Sequence, residues 1–508
     1  MTDWQISLWL ACYVAVFLGL SVFGAHRLRI LWLYWKNRGA DAKPLKRFDT
    51  LPIVTVQLPI FNEALVVGRL LDAVSQLDYP KNRLQIQILD DSTDETQDLC
   101  REHATVLSSQ GFDVEYRHRV NRLGFKAGAL EEATPTAKGD FLLIFDADFL
   151  PPHDLLQNMV HHFTEEKVGM VQARWGHLNR NESLLTRLQA MMLDGHLVLE
   201  QTARSRSGLF FNFNGTAGIW RKQAIIDAGG WQHDTLTEDM DLSYRAQMNG
   251  WRFVYLNDIT VPAELPADMD GFKSQQHRWT KGSIQVCKKI LGQVWRSNQP
   301  LRIKLESTAH LAANFAYLLM FGVLVLMYPA SFMFQNSWQK MVFIDIPVFF
   351  FASLSVIIFY ISAQGAQQPW GWLKAIPRLP LLMALGVGMS INNGKAVLEA
   401  LFNQHSDFVR TPKLGQQPGA PRQRNRYKAA RSITFWVEAL LAAYFTWLVW
   451  LAISSGNWAS LPFLVMFQFG FLYVVAGSMT RWFGMPRFDL PPSPPETPTP
   501  TPNTAMAA

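Results

Sequence analysis

The chain has 508 residues, of which 49% are hydrophobic and only 17% are charged. This apolar share exceeds what one soluble core requires, so part of it must lie outside such a core. The net charge of +6 does not indicate nucleic-acid binding, because the basic residues cluster beside apolar segments, where membrane orientation and anionic headgroups explain them. The three cysteines stand too far apart to predict a disulfide framework or a metal site of closely spaced ligands.

Apolar stretches of about 20 residues, roughly the length of a helix that crosses ~30 Å of hydrocarbon, flank a central region of soluble character. They predict five transmembrane helices, at residues 6–24, 311–334, 344–361, 435–451 and 461–479. A cleaved signal peptide is the alternative for the first stretch. That stretch lacks a basic start, carries Asp3 and precedes no clear small-residue cleavage site, so we expect a retained N-terminal anchor.

The charge distribution predicts the orientation in the membrane. Seven Lys or Arg residues follow the first span and place its C-terminal end, with the central region, in the cytoplasm of a multi-pass protein of the inner or plasma membrane. A sixth apolar stretch, residues 379–402, has basic residues on both sides and contains Asn392, Asn393, Lys395 and Glu399, which are costly in lipid. We interpret this stretch as an interfacial or re-entrant helix.

The chain divides into four predicted parts. These are an anchor with a basic linker (1–48), a central domain (49–300), a membrane region (301–485) and a Pro- and Thr-rich tail (486–508) whose composition predicts disorder. In the central domain, β-rich runs alternate with helical patterns such as 64–76 and 94–107; the runs lie at residues 53–58, 85–89, 114–117, 141–145 and 168–172. The alternation predicts a largely parallel, Rossmann-like α/β sheet covered by helices, with ligands bound beyond the carboxyl ends of its strands.

Two acidic motifs end such runs. Asp90 and Asp91 follow the second run, and the structural alternative is that the stretch 91–94 caps the next helix. Asp146 and Asp148, two residues apart after the fourth run, can converge at a tight turn. Two carboxylates there can hold Mg²⁺ or Mn²⁺ together with substrate phosphate, and such a metal would offset the charge on a departing nucleoside diphosphate.

A third acidic motif, at residues 237–239, precedes a helical pattern at 240–248. An arrangement of first-turn acids is the structural alternative. A glycosyl transfer that inverts the anomeric centre needs one base to take the proton of the acceptor hydroxyl. We predict that Asp239 is this base, and Glu238 is the candidate for orienting the acceptor.

The segment 275–279 adds polar and aromatic groups to this set. Gln275 offers amide donors, Arg278 a guanidinium suited to a diphosphate, and Trp279 an indole face on which a sugar ring can stack. An amphipathic surface helix that docks on the membrane is the alternative. His277 is interpreted as a polar residue on the helix surface, because the sequence offers no cluster of His and Cys that would recruit it to a metal.

Seven ordered motifs carry a resemblance to a known family. They lie at residues 57–63, 89–94, 124–130, 145–149, 213–218, 237–242 and 275–279. Together they closely resemble the family 2 processive glycosyltransferases of the cellulose synthase superfamily. The chain looks most like the cellulose-synthase-like A and C enzymes, which make mannan, glucomannan or xyloglucan-type β-1,4 backbones. The resemblance runs from about residue 52 to residue 281.

The resemblance implies a GT-A fold, an inverting mechanism and roles for individual residues. Glu63, Asp90 or Asp91 and Lys126 would lie near the nucleotide and its phosphates, and Asp146 and Asp148 at the donor sugar and metal. Asp239 would be the base, with Gln275, Arg278 and Trp279 around the diphosphate and acceptor sugar. The residues that would line the acceptor path are Phe213, Asn214, Gly215 and Thr216.

A further resemblance lies beyond the central domain. Residues 408–413 are similar to the gating loop of cellulose synthases, with Phe408, Thr411 and Lys413 at matching positions. The segment departs from that pattern at Arg410, which stands where the pattern has Val. A basic loop beside the membrane is the alternative.

The sequence therefore predicts a membrane synthase that uses UDP-glucose or GDP-mannose to extend a β-1,4-linked hexose polymer. A transferase that glycosylates a lipid, such as diacylglycerol or ceramide, once is the competing enzyme. A non-catalytic scaffold or carbohydrate transporter is the alternative from another class, but every chemical position of the motifs is present. The expected partners are the nucleotide sugar, the growing glycan or a lipid, and the bilayer.

Overall fold

The computed structural model describes residues 3–40, 42–333, 349–404, 411, 413, 415, 434–458 and 460–482. Some predictions lie outside these residues. They concern Phe408, the last residue of the second predicted span (334), the first residues of the third (344–348) and the tail at 486–508.

The described part of the central domain contains one seven-stranded sheet. Its strands are β1 (Val54–Ile60), β2 (Leu84–Asp90), β3 (Asp113–His118), β4 (Phe141–Ile144), β5 (Val168–His177), β6 (Gly218–Arg221) and β7 (Arg252–Ala263). Their order is β3-β2-β1-β4-β6-β5-β7. The first four strands are parallel, and β5 is parallel to β7, whereas β6 runs antiparallel to both β4 and β5. The five predicted strands are present, and the sheet is largely parallel as predicted, with β6 as the single antiparallel strand among the described residues.

Helices cover the sheet and continue into the apolar regions. Their bounds are α1 (Asp3–Asn37), α2 (Val67–Ser75), α3 (Thr96–Ser109), α4 (Phe125–Ala133), α5 (Leu155–Met159), α6 (Leu184–Asp194), α7 (Gln201–Arg206), α8 (Lys222–Asp227), α9 (Glu238–Met248), α10 (Met269–Arg296), α11 (Leu301–Leu311), α12 (Ala316–Met333), α13 (Ser355–Gln367), α14 (Gly371–Ala375), α15 (Leu379–Gly388), α16 (Ser390–Leu401), α17 (Thr434–Ser454) and α18 (Leu461–Trp482). Two π-helical segments, Gly195–Glu200 and Phe349–Leu354, precede α7 and α13.

The buried side chains of β1 explain why this strand forms at the centre of the domain. Val54, Val56 and Leu58 point into an apolar cluster on one face of the sheet. Thr55 and Gln57 point to the opposite face, as the two-residue period of a strand requires. Both are fully buried and pair with β2, where Gln57 Nε2 donates to Gln87 Oε1 at 2.9 Å. The strand is therefore buried on both faces without an unpaired donor at these positions.

The strand order places a crevice at the middle of the sheet. From β1 the chain proceeds outward to β2 and β3 on one side, and returns to place β4 on the other side of β1. The strand order therefore reverses between the adjacent parallel strands β1 and β4, and ligands of open α/β sheets bind at such a switch point. The acidic motif 146–148 follows β4, the fourth of the seven strands in spatial order, at this crevice.

Four described helices are long and apolar enough to cross a membrane. They are Ser7–Asn37, Phe350–Gln367, Thr434–Ser454 and Leu461–Met479. Two further pairs of helices are long and apolar enough to cross a membrane only when the two helices of a pair are taken together. They are Leu301–Leu311 with Ala313–Leu326, bent by 42°, and Gly371–Gly388 with Ser390–Leu401, bent by 41°. The second pair contains the stretch interpreted as interfacial or re-entrant. Its break near residue 389 separates an apolar half from the half that carries Asn392, Asn393 and Glu399.

Buried ion pairs join the apolar helices to the central domain. Glu306 of α11 is fully buried and accepts hydrogen bonds from His26 and Arg29 of α1 and from Arg204 of α7, the first and last at 3.0 Å. Lys273 of α10 pairs with Glu438 of α17 at 2.6 Å, and both side chains are buried. Because an unpaired buried charge is costly, these pairs fix the positions of α1 and α17 relative to the sheet domain.

Candidate active site

A cleft at the carboxyl ends of β1, β2 and β4 brings most of the predicted site residues together. The predicted residues that line it are Glu63, Asp91, Lys126, Asp146, Asp148, Asn214, Gly215, Glu238, Asp239, Gln275, Arg278, Trp279, Thr411 and Lys413. They come from eight separate stretches of sequence, and the sheet together with α4, α9 and α10 carries most of them.

Asp146 occupies the turn after β4 and is the more accessible of the two acids of this motif. Its backbone N–H donates to Thr216 Oγ1 at 2.9 Å, and its carboxylate accepts a hydrogen bond from Lys126. The Asp146 side chain is 40% exposed to the cleft. Asp148 is buried, and its Oδ2 accepts from the Glu264 N–H at 3.1 Å and from Lys413 Nζ at 2.7 Å.

These two carboxylates fit a divalent metal that is completed by substrate. No group of three or more His, Cys, Asp or Glu side chains that could hold a metal exists among the described residues. Mg²⁺ and Mn²⁺ are commonly bound through one or two carboxylates plus substrate phosphates. Asp146 supplies an accessible carboxylate of this kind, with Asp148 two residues away in the same cleft.

Glu238 and Asp239 are the first two residues of α9, and Asp239 lies next to Gly215. Asp239 Oδ1 accepts a hydrogen bond from the Met240 N–H at 2.8 Å. Burial, reinforced by the neighbouring Glu238 carboxylate, raises the pKa of Asp239 to about 7, against the opposing effect of Lys126. Burial also raises the pKa of Glu238. A carboxylate whose pKa lies near neutrality is suited to accept a proton during a reaction at that pH.

Gly215 lies against this carboxylate and has a backbone conformation that favours glycine. Its φ is +81°, and a Cβ added there would lie 3.0 Å from Asp239 Oδ2. Its carbonyl oxygen accepts a hydrogen bond from Lys126 Nζ at 2.8 Å. The loop therefore sets the spacing between a cation and the two acids of α9.

We expect Gly215→Ala to lower the transfer rate by about 10- to 100-fold, because even a small displacement of reacting groups is costly and the new methyl group would both strain the backbone and push Asp239 away. Steady-state kinetics would measure this effect. Gly250→Ala, at φ +87° with open space around the added Cβ, carries a similar backbone strain and should leave the rate unchanged within about twofold. Equal losses in both variants would contradict the positional argument.

Lys126 and Arg278 are cations of the cleft whose pKa values are governed by its acids. Burial disfavours the charged form of Lys126, but Asp146 and Glu238 outweigh it and raise the pKa of this ammonium. Burial lowers the pKa of Arg278, against the opposing effect of Glu238 and Asp146. Because guanidinium groups have a very high intrinsic pKa, Arg278 stays charged. The two side chains form a positive patch suited to a diphosphate.

The helix α10 presents the 275–279 motif to the cleft. Gln275 is buried, and Trp279 lies with its ring centroid 6.5 Å from that of Trp175. Trp175, at the end of β5, also lines the cleft and was not identified from the sequence. His277 Nε2 lies 3.1 Å from Glu399 Oε2 of α16, and burial lowers the His277 pKa despite this carboxylate. His277 therefore packs against another helix and is not among the residues that line the cleft.

Three predicted residues occupy other places than the cleft. Asp90 is fully buried below it, and its carboxylate accepts from the Ser92 N–H, from Tyr116 Oη at 2.8 Å and from His118 Nδ1 at 3.2 Å. Phe213 does not line the acceptor path as predicted, because its ring is buried in the core against Trp220. Thr216 is also buried and supports Asp146 from behind.

Asp91 lies at the cleft, but its carboxylate is already bound. Arg119 holds both of its oxygens, with Nε and Nη2 each at 2.7 Å. Such a bidentate pair is rigid and strongly directional. Asp91 therefore lines the cleft as part of an ion pair rather than as a free carboxylate. Within the stretch 91–94, the capping contact comes from Asp94, whose Oδ1 accepts from the Thr96 N–H at the start of α3 at 3.0 Å.

The described residues of the gating-like segment lie at the cleft. Thr411 and Lys413 line it, and Lys413 contacts both Asp148 and the carbonyl oxygen of Glu264. Glu264 follows β7, is buried, and pairs with Arg69 of α2 at 2.5 Å. Glu264 was not predicted from the sequence, because it follows a long strand and matches no acidic motif.

Comparison with known proteins identifies the family. A model described as glycosyltransferase like family 2 matches residues 52–282. Glucomannan 4-beta-mannosyltransferase 1 of Cyamopsis tetragonoloba is 35% identical over 414 residues, which cover 78% of this chain and 75% of that protein. The chain belongs to glycosyltransferase family 2. A second relative, glucomannan 4-beta-mannosyltransferase 1 of Oryza sativa subsp. japonica, is 34% identical over 74% of this chain and 72% of its own.

A solved structure supports the fold of this family 2 glycosyltransferase. Mannosyltransferase PcManGT from Pyrobaculum calidifontis, in complex with GDP-Man and Mn²⁺, aligns with a TM-score of 0.51 at 20% identity, over 77% of this chain and 99% of that one. The likeness shows a GT-A-like fold with a mixed sheet. The resemblance to cellulose-synthase-like enzymes that the seven motifs predicted is confirmed by the two plant relatives.

Proposed function

We propose that this protein is a membrane-embedded, inverting glycosyltransferase that polymerises a β-1,4-linked hexose polysaccharide of the mannan, glucomannan or glucan type. The observation that carries the proposal is the cleft itself, in which Asp239 faces the 146–148 acids, Lys126 and Arg278. Relatives named glucomannan 4-beta-mannosyltransferase match over most of the chain and support the polymer. GDP-mannose and UDP-glucose are the proposed donors.

In the proposed reaction, Asp239 takes the proton of an acceptor hydroxyl as its oxygen attacks the anomeric carbon of the donor sugar. The bond from that carbon to the diphosphate breaks, and the configuration inverts because attack and departure occur on opposite faces. Lys126 and Arg278 stabilise the charge of the leaving nucleoside diphosphate. Glu238 orients the acceptor, and Trp279 with Trp175 offers aromatic faces to the sugar rings.

The remaining residues of the cleft hold the donor. We assign Glu63 and Asp91 to the nucleotide side and Gln275 to the diphosphate side. Asp146 and Asp148 would bind a divalent cation, Mg²⁺ or Mn²⁺, which when bound neutralises phosphate charge. The complex of the GT-A neighbour with Mn²⁺ supports a divalent metal.

We propose the membrane arrangement that the sequence predicts. Five spans place the N-terminus outside and the central domain at 49–300 in the cytoplasm, between the anchor at 1–48 and the membrane region at 301–485. The bent pair of α15 and α16 is then the interfacial helix. Its polar half contacts α10 through Glu399, which accepts from Lys281 Nζ at 3.1 Å, a partner suited to a position at the edge of the bilayer rather than within it.

Product analysis tests this function. The purified protein would be incubated with Mg²⁺ or Mn²⁺ and radiolabelled GDP-mannose or UDP-glucose in parallel, with Asp239→Asn as the blank. We expect label that resists extraction by organic solvent and is released by a β-1,4-specific glycanase, which would also identify the donor. Label that leaves wholly with the organic phase would overturn the polymer in favour of a glycosylated lipid.

A further inference from the structure

The loop of residues 212–217 forms one wall of the cleft and is held by two buried glutamines that match no motif. Gln172 of β5 accepts from the Asn214 N–H at 3.1 Å through Oε1, and its Nε2 donates to the carbonyl oxygens of Thr216 and Ala217, each at 3.0 Å. Gln201, the first residue of α7, binds the same loop through its side chain. Both glutamine side chains are fully buried.

Gln201 fixes the part of the loop that precedes Gly215. Its Nε2 donates to the Asn212 carbonyl oxygen at 3.0 Å and to Asn214 Oδ1 at 2.7 Å. A second amide, Asn212 Nδ2, also donates to Asn214 Oδ1, at 3.2 Å. The Asn214 carbonyl therefore has a fixed direction, and the residue that follows it is the glycine that contacts Lys126 and lies against Asp239.

The position of Gln201 depends on an interruption of its helix. The π-helical segment Gly195–Glu200 separates α6 from α7. One extra residue in a helix rotates everything after it by about 100°, and such insertions are frequent at functional sites. Within this segment, His196 lies 3.1 Å from Glu200 and 3.4 Å from Asn214 Oδ1, so the π segment contacts the same side chain that Gln201 holds.

A chain of ion pairs ties α7 to the first apolar helix. Arg204, three residues after Gln201, is buried and donates to Glu200 at 3.1 Å and to Glu306 at 3.0 Å. Glu306 in turn binds His26 and Arg29 of α1. The position of α7, which carries Gln201, is therefore fixed by contacts with the N-terminal helix α1 as well as with the sheet domain.

We propose that Gln201 is a positioning residue that holds the loop carrying Asn214 and Gly215 in register with Asp239, and thereby sets the approach of the acceptor. The inference rests on the proposed function. Gln201 touches no reacting atom, and it acts through the backbone and side chain of the loop. Its loss should affect the attack of a sugar hydroxyl more than the binding of the nucleotide sugar, because the donor-side residues Asp146 and Arg278 are not among its contacts.

Gln201→Met tests the proposal, because it keeps the length of the side chain and removes its hydrogen bonds. We expect transfer to the acceptor to fall by about 10- to 100-fold, the range for a displacement near 1 Å. The KM for the donor and the slow hydrolysis of the donor by water should change by less than about threefold. Gln201→Glu, which keeps the shape but replaces the donor Nε2 by an acceptor, should show the same split.

Gln189→Met is the matched control. Gln189 of α6 is also a buried glutamine and donates to the Pro266 carbonyl oxygen at 2.9 Å, but it does not contact the loop. The control should keep the wild-type ratio of transfer to hydrolysis. Parallel losses of transfer and hydrolysis in Gln201→Met, or no loss of either, would overturn the positioning role. A wild-type enzyme that labels only lipid would refute polymer synthesis, and the ratio would then be measured with that lipid.

Discussion

Replacing Asp239 by Asn is expected to lower kcat by about 10³-fold while donor affinity stays within about threefold. The amide has the shape of the carboxylate but cannot take a proton from the acceptor hydroxyl, and a positioned general base contributes roughly 10²- to 10⁴-fold. Asp239 lies at the start of α9 in the cleft, next to Gly215. Rates of nucleotide release and of glycan formation would measure the loss.

Asp234→Asn is the control for this substitution. Asp234 lies five residues earlier, is 58% exposed and pairs with Lys289 at 2.7 Å on the surface. Surface pairs of this kind contribute little, so this variant should retain wild-type activity. Full activity of Asp239→Asn would remove the proposed base, and an equal loss in both variants would assign the effect to folding.

Deprotonation of Asp239 should also determine how kcat/KM rises with pH on the acid side of its pH profile. Burial and the Glu238 carboxylate raise the pKa of Asp239 to about 7. A base works only when deprotonated, so kcat/KM should rise with pH and level off above this value. A cation bound at the neighbouring 146–148 acids would lower the pKa, so the midpoint is expected at or below about pH 7. The midpoint should be absent from the residual activity of Asp239→Asn.

Much of the fold and of the cleft could be predicted from sequence, because local patterns carry that information. β-rich runs and the acids that end them gave five strands within a few residues, and the strand order then brings their carboxyl ends to one edge. The strand β6 escaped prediction because it has only four residues, Gly218–Arg221, and pairs antiparallel within a sheet whose other neighbours suggested a parallel arrangement.

Side-chain direction was the part that sequence could not supply. Neighbouring residues of an extended chain point to opposite sides, so a motif read as letters does not say which of its members reaches the cleft. Asp90 turns into the sheet and Asp91 toward the cleft, while Phe213 enters the core and Asn214 faces the site. Gln172, Gln201 and Trp175 were missed for a related reason: their partners are 11 to 104 residues away along the chain, and no local pattern marks them.

The second large effect concerns the metal. We expect a chelator to abolish transfer and added Mn²⁺ or Mg²⁺ to restore it. In the Asp146→Asn variant, the metal concentration for half-maximal activity should rise by about 10- to 100-fold. Loss of a residue that only supports a metal ligand already lowers metal affinity by about this factor. Asp146 carries this expectation because its side chain is 40% exposed to the cleft, whereas that of Asp148 is only 4% exposed. Titration of activity with each metal would measure the shift.

The charge balance of the cleft explains why this change should act through the metal. In the structure, Lys126 and Lys413 each neutralise one of the two acids. A nucleoside diphosphate brings several negative charges, which attract both lysines and leave the carboxylates available for a divalent cation. Asp113→Asn is the control, since Asp113 pairs with Lys138 on the surface at the outer strand β3. Undiminished transfer in the presence of chelator would show that Lys126 and Arg278 suffice to stabilise the leaving group without a metal.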